Sequence, residues 1–198
     1  MHDFYIWFTT GIEHIADWKG YDHILFLLAL CGIYPISQWK KVLFNITAFT
    51  IGHSLTLALS VLNILKINTS LVEFLIPLTI IITCLINLKN ASAKNFETKR
   101  PTYWLACFFG LIHGLGFSTL LKEMLGKGQS ILLPLFSFNI GLEIGQLFIV
   151  ISVMIFSLAL TSVLRIKQNN WNFFISSAVF GIAFIMAIER FQALVQTK

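Results

Sequence analysis

Long apolar runs separated by short polar ones make up almost the whole chain, without the two- or 3.6-residue alternation of a half-buried strand or surface helix. The runs fall at about 4–33, 42–64, 71–88, 102–121, 131–163 and 172–193. Each is close to or beyond the roughly 20 apolar residues that cross a hydrocarbon core of about 30 Å. They predict an all-α fold, a polytopic transmembrane bundle of about six helices, with residues 1–198 forming a single integral membrane domain. The first run is interrupted by "ADWKG" at 16–20. It reads either as a long bent helix or as an interfacial segment followed by a short span. Short connections such as "KINTS" and "RIKQNNWN" predict that helices consecutive in sequence are antiparallel neighbours.

Composition agrees with this pattern. Of the residues 57% are hydrophobic and only 12% charged, with a mean hydropathy of +0.80, against roughly a quarter charged in soluble domains. The net charge of +5 resides in loops and ends, so it indicates orientation in a membrane and contact with lipid, not nucleic-acid binding. Lys40, Lys41, Lys89, Lys94, Lys99, Arg100, Arg165 and Lys167 lie in the odd connections, eight in all; Lys19, Lys66, Lys122, Lys127, Arg190 and Lys198 are the other six. The excess predicts cytoplasmic odd connections with both termini outside. Cys31, Cys84 and Cys107 sit singly in apolar runs and read as packing residues. "MHDFYIWFTTGIEH" lacks the basic, apolar and small-residue order of a removable signal peptide.

A few polar groups stand where the apolar runs have no structural use for them. His14, Asp22 and His23 flank the interruption of the first run, His53 lies within "FTIGHSLTL", His113 within "FFGLIHGLGF" and Glu143 within "FNIGLEIGQ". An ionisable group within the bilayer costs about 2.5–3.5 kcal/mol on insertion scales and marks a functional site by default. Taken singly, each histidine also reads as a helix-to-helix hydrogen bond and Asp22 as a helix cap. Taken together, imidazoles and carboxylates from four runs are the ligand set of a divalent transition metal such as nickel, cobalt or zinc.

Helical geometry sharpens the reading. At 100° per residue, His14 and His23 lie about 180° apart, so a shared site requires the helix to break between them, most easily at Lys19–Gly20. Asn139, Glu143 and Gln146 lie within about 60° of one another, with Gly141 and Gly145 opposite. The glycines predict close packing against a neighbour; Glu143 turns to the site, with Asn139 and Gln146 hydrogen-bonding around it. Thr50, His53, Thr56 and Ser60 share one face, with Ser54 at its flank. Gly110, Gly114 and Gly116 around His113 leave room for another backbone.

"GIEHIADWKGYDHILFLLAL", "FTIGHSLTLALS", "FGLIHGLGF" and "FNIGLEIGQ" together resemble the HupE/UreJ family of bacterial membrane proteins, over about residues 11–150. The resemblance implies a multi-pass protein of the bacterial cytoplasmic (inner) membrane that acts as a nickel or cobalt permease. The closer likeness is to the branch with "FGLxHGLGF": seven residues separate His14 from Asp22 where the nickel-permease branch has five. Phe109 and Gly116 replace that branch's first His and its Glu. On this reading the metal site comprises Asp22, His23, His53, His113, Glu143 and His14, and the protein is a transporter, not an enzyme. The alternative is an intramembrane zinc hydrolase resembling the alkaline-ceramidase-like enzymes. His23, His53 and His113 would hold zinc, Asp22 or Glu143 would act as base, and Ser54 would assist the oxyanion.

Overall fold

The computed structural model describes residues 2–18, 20–65, 68–91, 103–124 and 131–196. Lys19 at the expected break, Lys66, Lys198 and the loop cations Lys94, Lys99, Arg100 and Lys127 lie outside them. Among the described residues every regular element is helical, since in lipid a helix satisfies each backbone group within its own segment. The helices are α1 (His2–Ile15), α2 (Asp22–Cys31), α3 (Trp39–Val61), α4 (Thr69–Ala91), α5 (Tyr103–Met124), α6 (Leu132–Ser162) and α7 (Gln168–Gln196), with a 3-10 turn at Ile36–Gln38 before α3. The stretch ending at Val61, α4, α6 and α7 are long and apolar enough to cross a membrane; α2 and α5 are shorter apolar helices. Asn63 (φ 59°) and Arg165 (φ 53°) take left-handed backbone just beyond α3 and α6. There the Ile64 N–H bonds the Leu59 carbonyl and the Ile166 N–H bonds the Leu160 carbonyl, closing the helix ends as left-handed caps do.

The interrupted first run forms two short helices that pack along successive parts of α6. In α1, Phe8 lies against Gly141, and Ile12 and Ile15 lie against Gly145, so α1 runs parallel to the first half of α6. Leu28 of α2 borders a cavity with Ser152, Val153 and Phe156 from the second half of α6. The chain leaves α2 at the end of the bundle where α7 begins: the Trp171 indole N–H donates to the Gly32 carbonyl (2.9 Å) and Gln168 Nε2 to the Ile33 carbonyl (3.1 Å). The described residues between Ile15 and Asp22 are not helical. Of the two sequence readings, the structure excludes the single long bent helix: the run forms two separate helices, of which α2 is the more apolar.

The expectation that sequence neighbours are the main packing partners needs correction. The extensive interfaces are α1 with α6, α3 with α5, and α4 with α7. Small residues decide this. A Cβ on Gly52 would collide with the Cys107 carbonyl, one on Gly110 with the Phe49 carbonyl, and one on Gly114 with the His53 carbonyl. The order rises along both helices, so α3 and α5 are parallel and in backbone contact. Gly141 and Gly145 do for α1 and α6 what the sequence led us to expect of that face. The α4–α7 pair is antiparallel, with the Phe74 ring tilted against that of Phe191 and Arg190 bonded to Glu73 at 2.9 Å. Both described chain ends therefore lie on one face of the bundle. Cys31 and Cys84 are buried and unpaired, and Cys107 is half-buried.

Candidate metal centre

Residues from α1, α2 and the α3–α5 pair meet inside the bundle. The break lets His14, at the last turn of α1, and His23, at the first turn of α2, face each other with ring centroids 4.5 Å apart. His53 of α3 is 5.7 Å from the His14 ring and 6.1 Å from that of His23. One ligand atom from each of the three lies within 4.8 Å of the other two. Imidazoles bound tetrahedrally at about 2.1 Å have nitrogens roughly 3.4 Å apart, so a closure of about 1 Å brings all three onto one ion. His23 and His53 are buried.

His113 of α5 adjoins this triad, its ring 5.1 Å from that of His23. Its Nε2 lies 3.0 Å from the Thr79 hydroxyl of α4, whose single proton is given to the Ile76 carbonyl at 2.7 Å. A hydroxyl that donates to that carbonyl accepts from a proton on His113 Nε2, and His113 Nδ1 then keeps a free lone pair. Asp22 reaches the cluster through His23. Its Oδ1 lies 2.9 Å from His23 Nδ1 and accepts the His23 backbone N–H at 2.7 Å. The aspartate thus takes an N–H at the start of α2, as a cap does, and also holds the ring with its Nε2 free. A carboxylate bonded to the far nitrogen of a histidine is the usual way a ligand ring is oriented.

The polar inventory of the core leaves a conspicuous remainder. His14 Nε2, His23 Nε2, both ring nitrogens of His53 and His113 Nδ1 are buried without a hydrogen-bond partner. Each such atom costs about 1–3 kcal/mol if it stays unpaired. Aromatic rings bound the cluster on two sides. Phe117 and Phe138 stack 4.9 Å apart, Phe117 4.0 Å from the His14 ring. Phe26 and Phe49, also 4.9 Å apart, lie at 5.0 and 5.2 Å from His113.

The remaining sequence candidates are placed differently. Glu143 is half-buried and accepts a 2.8 Å hydrogen bond from the Thr47 hydroxyl; Gln146 accepts one of the same length from Thr50. The α6 stripe therefore engages α3 through hydroxyls on the side of His53 towards the start of α3. Asn139 Oδ1 and Gln146 Nε2 are buried without partners. The Ser54 hydroxyl is committed to the Thr50 carbonyl at 2.6 Å. Thr79 is the participant that sequence reasoning missed. Its signal is the run Thr79, Thr83 and Asn87, buried at four-residue spacing on α4.

A family model described as HupE / UreJ protein matches residues 1–191 of the chain. No curated protein matches it, and neither does any solved structure.

Proposed function

Given that the chain belongs to the HupE/UreJ family of multi-helix membrane proteins, we propose that it is a divalent transition-metal permease, taking nickel or cobalt across a bacterial inner membrane. The ion is bound by His14, His23 and His53. The observation that carries the reading is the set of five buried histidine nitrogens with no partner, an arrangement with a cost in stability and a use only when a ligand enters. Neutral imidazoles suit nickel, cobalt and zinc. In this reading Asp22 orients His23 and raises its basicity, while Thr79 fixes the tautomer of His113 so that its Nδ1 is available as the ion shifts. At the break the negative end of the α1 dipole lies beside His14, and the Asp22 carboxylate offsets the positive end of α2 beside His23.

The ion competes with protons for three imidazole lone pairs and gives up its hydration shell to bind, so in this reading exchange depends on helix movements that present the ligands one at a time. The excess of basic residues on the odd connections orients the face carrying both termini outwards. The hydrolase alternative receives no support from the family, and the Ser54 hydroxyl already has an acceptor.

Two measurements on the full chain test the proposal: titration of the purified protein with cobalt(II) and nickel(II), and uptake of these ions by proteoliposomes. One exchangeable equivalent that is lost in His53→Ala, together with uptake that is lost in parallel, is the expected result. Failure of the folded wild-type protein to bind either ion refutes it. Tightly held zinc in a protein that moves no metal sends the reading back to chemistry.

A further inference from the structure

We propose that the cavity at the ends of α3 and α5 is the vestibule through which the cation reaches the histidine site from the face carrying both termini; this rests on the permease reading above. The cavity has a volume of about 220 Å³ and is lined by Ser60, Thr69, Leu115, Ser118, Thr119 and Lys122 among others. Thr69 and Thr119 are exposed whereas Ser60 and Ser118 are buried, so the cavity leads from the rim into the bundle.

Its inner end points towards the ligands. Ser60, Thr56 and His53 share a face of α3, and Ser60 stands about 10 Å along the helix from His53. Thr56 bridges the interval. Its hydroxyl lies against Gly114, where a Cβ would collide with it, and is within hydrogen-bond range of the Gly52 and His53 carbonyls. Oxygen atoms of α3 therefore follow one another from the cavity to the turn that carries His53, packed there against α5. Two other sides of the cluster are walled by rings, with Phe117 and Phe138 over His14 and Phe26 and Phe49 beside His113. A divalent ion giving up water needs oxygen or nitrogen in exchange, which hydroxyls and carbonyls offer and phenylalanine does not.

Electrostatics shapes the same route. The C-terminal ends of α3 and α5 bring the negative poles of two helices to the cavity, against the positive pole of α4, which starts at Thr69 in its lining. Among the described residues, Lys122 is the one cationic side chain in its lining. It sets a barrier that an incoming divalent ion must pass, and the barrier depends on the sign of the charge at that position.

The test is stopped-flow loading of the full-length protein in detergent with cobalt(II), followed by stripping with excess EDTA. A plug in a vestibule slows entry and exit alike, so Ser118→Trp is expected to lower both rates at least tenfold with an unchanged Kd. Lys122→Glu is expected to raise the loading rate at least threefold, by an amount that shrinks with ionic strength. Wild-type rates in a folded, cobalt-binding Ser118→Trp protein overturn the proposal. Should that variant not fold, Ser118→Cys replaces it. Labelling with a cationic thiol reagent, against a wild-type control for Cys107, must then slow loading, and unchanged loading overturns the vestibule. A wild-type protein that binds no cobalt overturns the permease reading and the vestibule with it, whereas normal binding with unaltered rates removes the vestibule alone.

Discussion

Replacing Asp22 by Asn separates a residue that holds the ion from one that holds a ligand. In the structure one carboxylate oxygen serves both His23 Nδ1, at 2.9 Å, and the His23 backbone N–H, at 2.7 Å. An asparagine oxygen can still accept a hydrogen bond there, so the ring keeps its orientation and loses the ionic part of the contact. Charge-assisted hydrogen bonds are roughly twice as strong as neutral ones, and loss of such a partner typically lowers metal affinity about 10–100-fold. With geometry largely preserved, Asp22→Asn belongs at the lower end, about 10–30-fold, or roughly 1.4–2 kcal/mol. His23→Ala removes a ligand nitrogen and should abolish stoichiometric binding. Isothermal titration with cobalt(II) in detergent, on both variants and wild type, gives the comparison. An Asp22→Asn protein as empty as His23→Ala would make the carboxylate itself a ligand. Wild-type affinity would show that the Asp22–His23 bond plays no part in the site.

Four further outcomes follow from the same geometry. Acidification is expected to empty the site, because protonated imidazole has no lone pair to give; cobalt(II) titrations at stepwise lower pH check this, and binding that never weakens with acid would take the imidazoles off the ion. Glu143→Gln should keep cobalt affinity within about threefold, since Glu143 is bonded to Thr47 on α3, and loss of binding in a folded variant would place the carboxylate on the ion. Gly52→Leu should lower stability in detergent by about 3 kcal/mol or more, beyond ordinary overpacking, because its Cβ meets the Cys107 carbonyl, which cannot yield. Gly181→Ala, with nothing within 4 Å, should raise stability by up to about 1 kcal/mol; thermal unfolding of the two variants side by side checks both.

How much of this was legible in the chain depends on whether the information is local. The spans were, because the bilayer requires length and apolarity of each helix separately. So was the break: nine positions put His14 and His23 on opposite sides of a regular helix, and only an interruption lets their rings face each other. The faces of α6 were legible as well, glycines towards α1 and Glu143 opposite. What Glu143 meets depends on the relative height of α3 and α6, which no single helix encodes, and it met Thr47. The pairing of α3 with α5 was equally hidden. Glycines on both helices announce close contact without saying with which partner, and proximity in sequence suggested the wrong one. Thr79 gave no sign by itself, since a threonine in a membrane helix ordinarily bonds its own backbone; only the position of His113 gives its oxygen a second task.

The glycine contacts divide the bundle into units that are stiff within and joined more loosely. His14 rides with the α1–α6 unit, His53 and His113 with the α3–α5 unit, and His23 with the short helix α2, which meets the α4–α7 unit through the Asn87 side chain and the Ala29 carbonyl. The ion then measures alignment among three bodies, much as a keystone measures the arch around it. Substitutions far from any ligand, if they tilt one unit by a degree or two, should be read first as altered cobalt affinity and only later as altered folding.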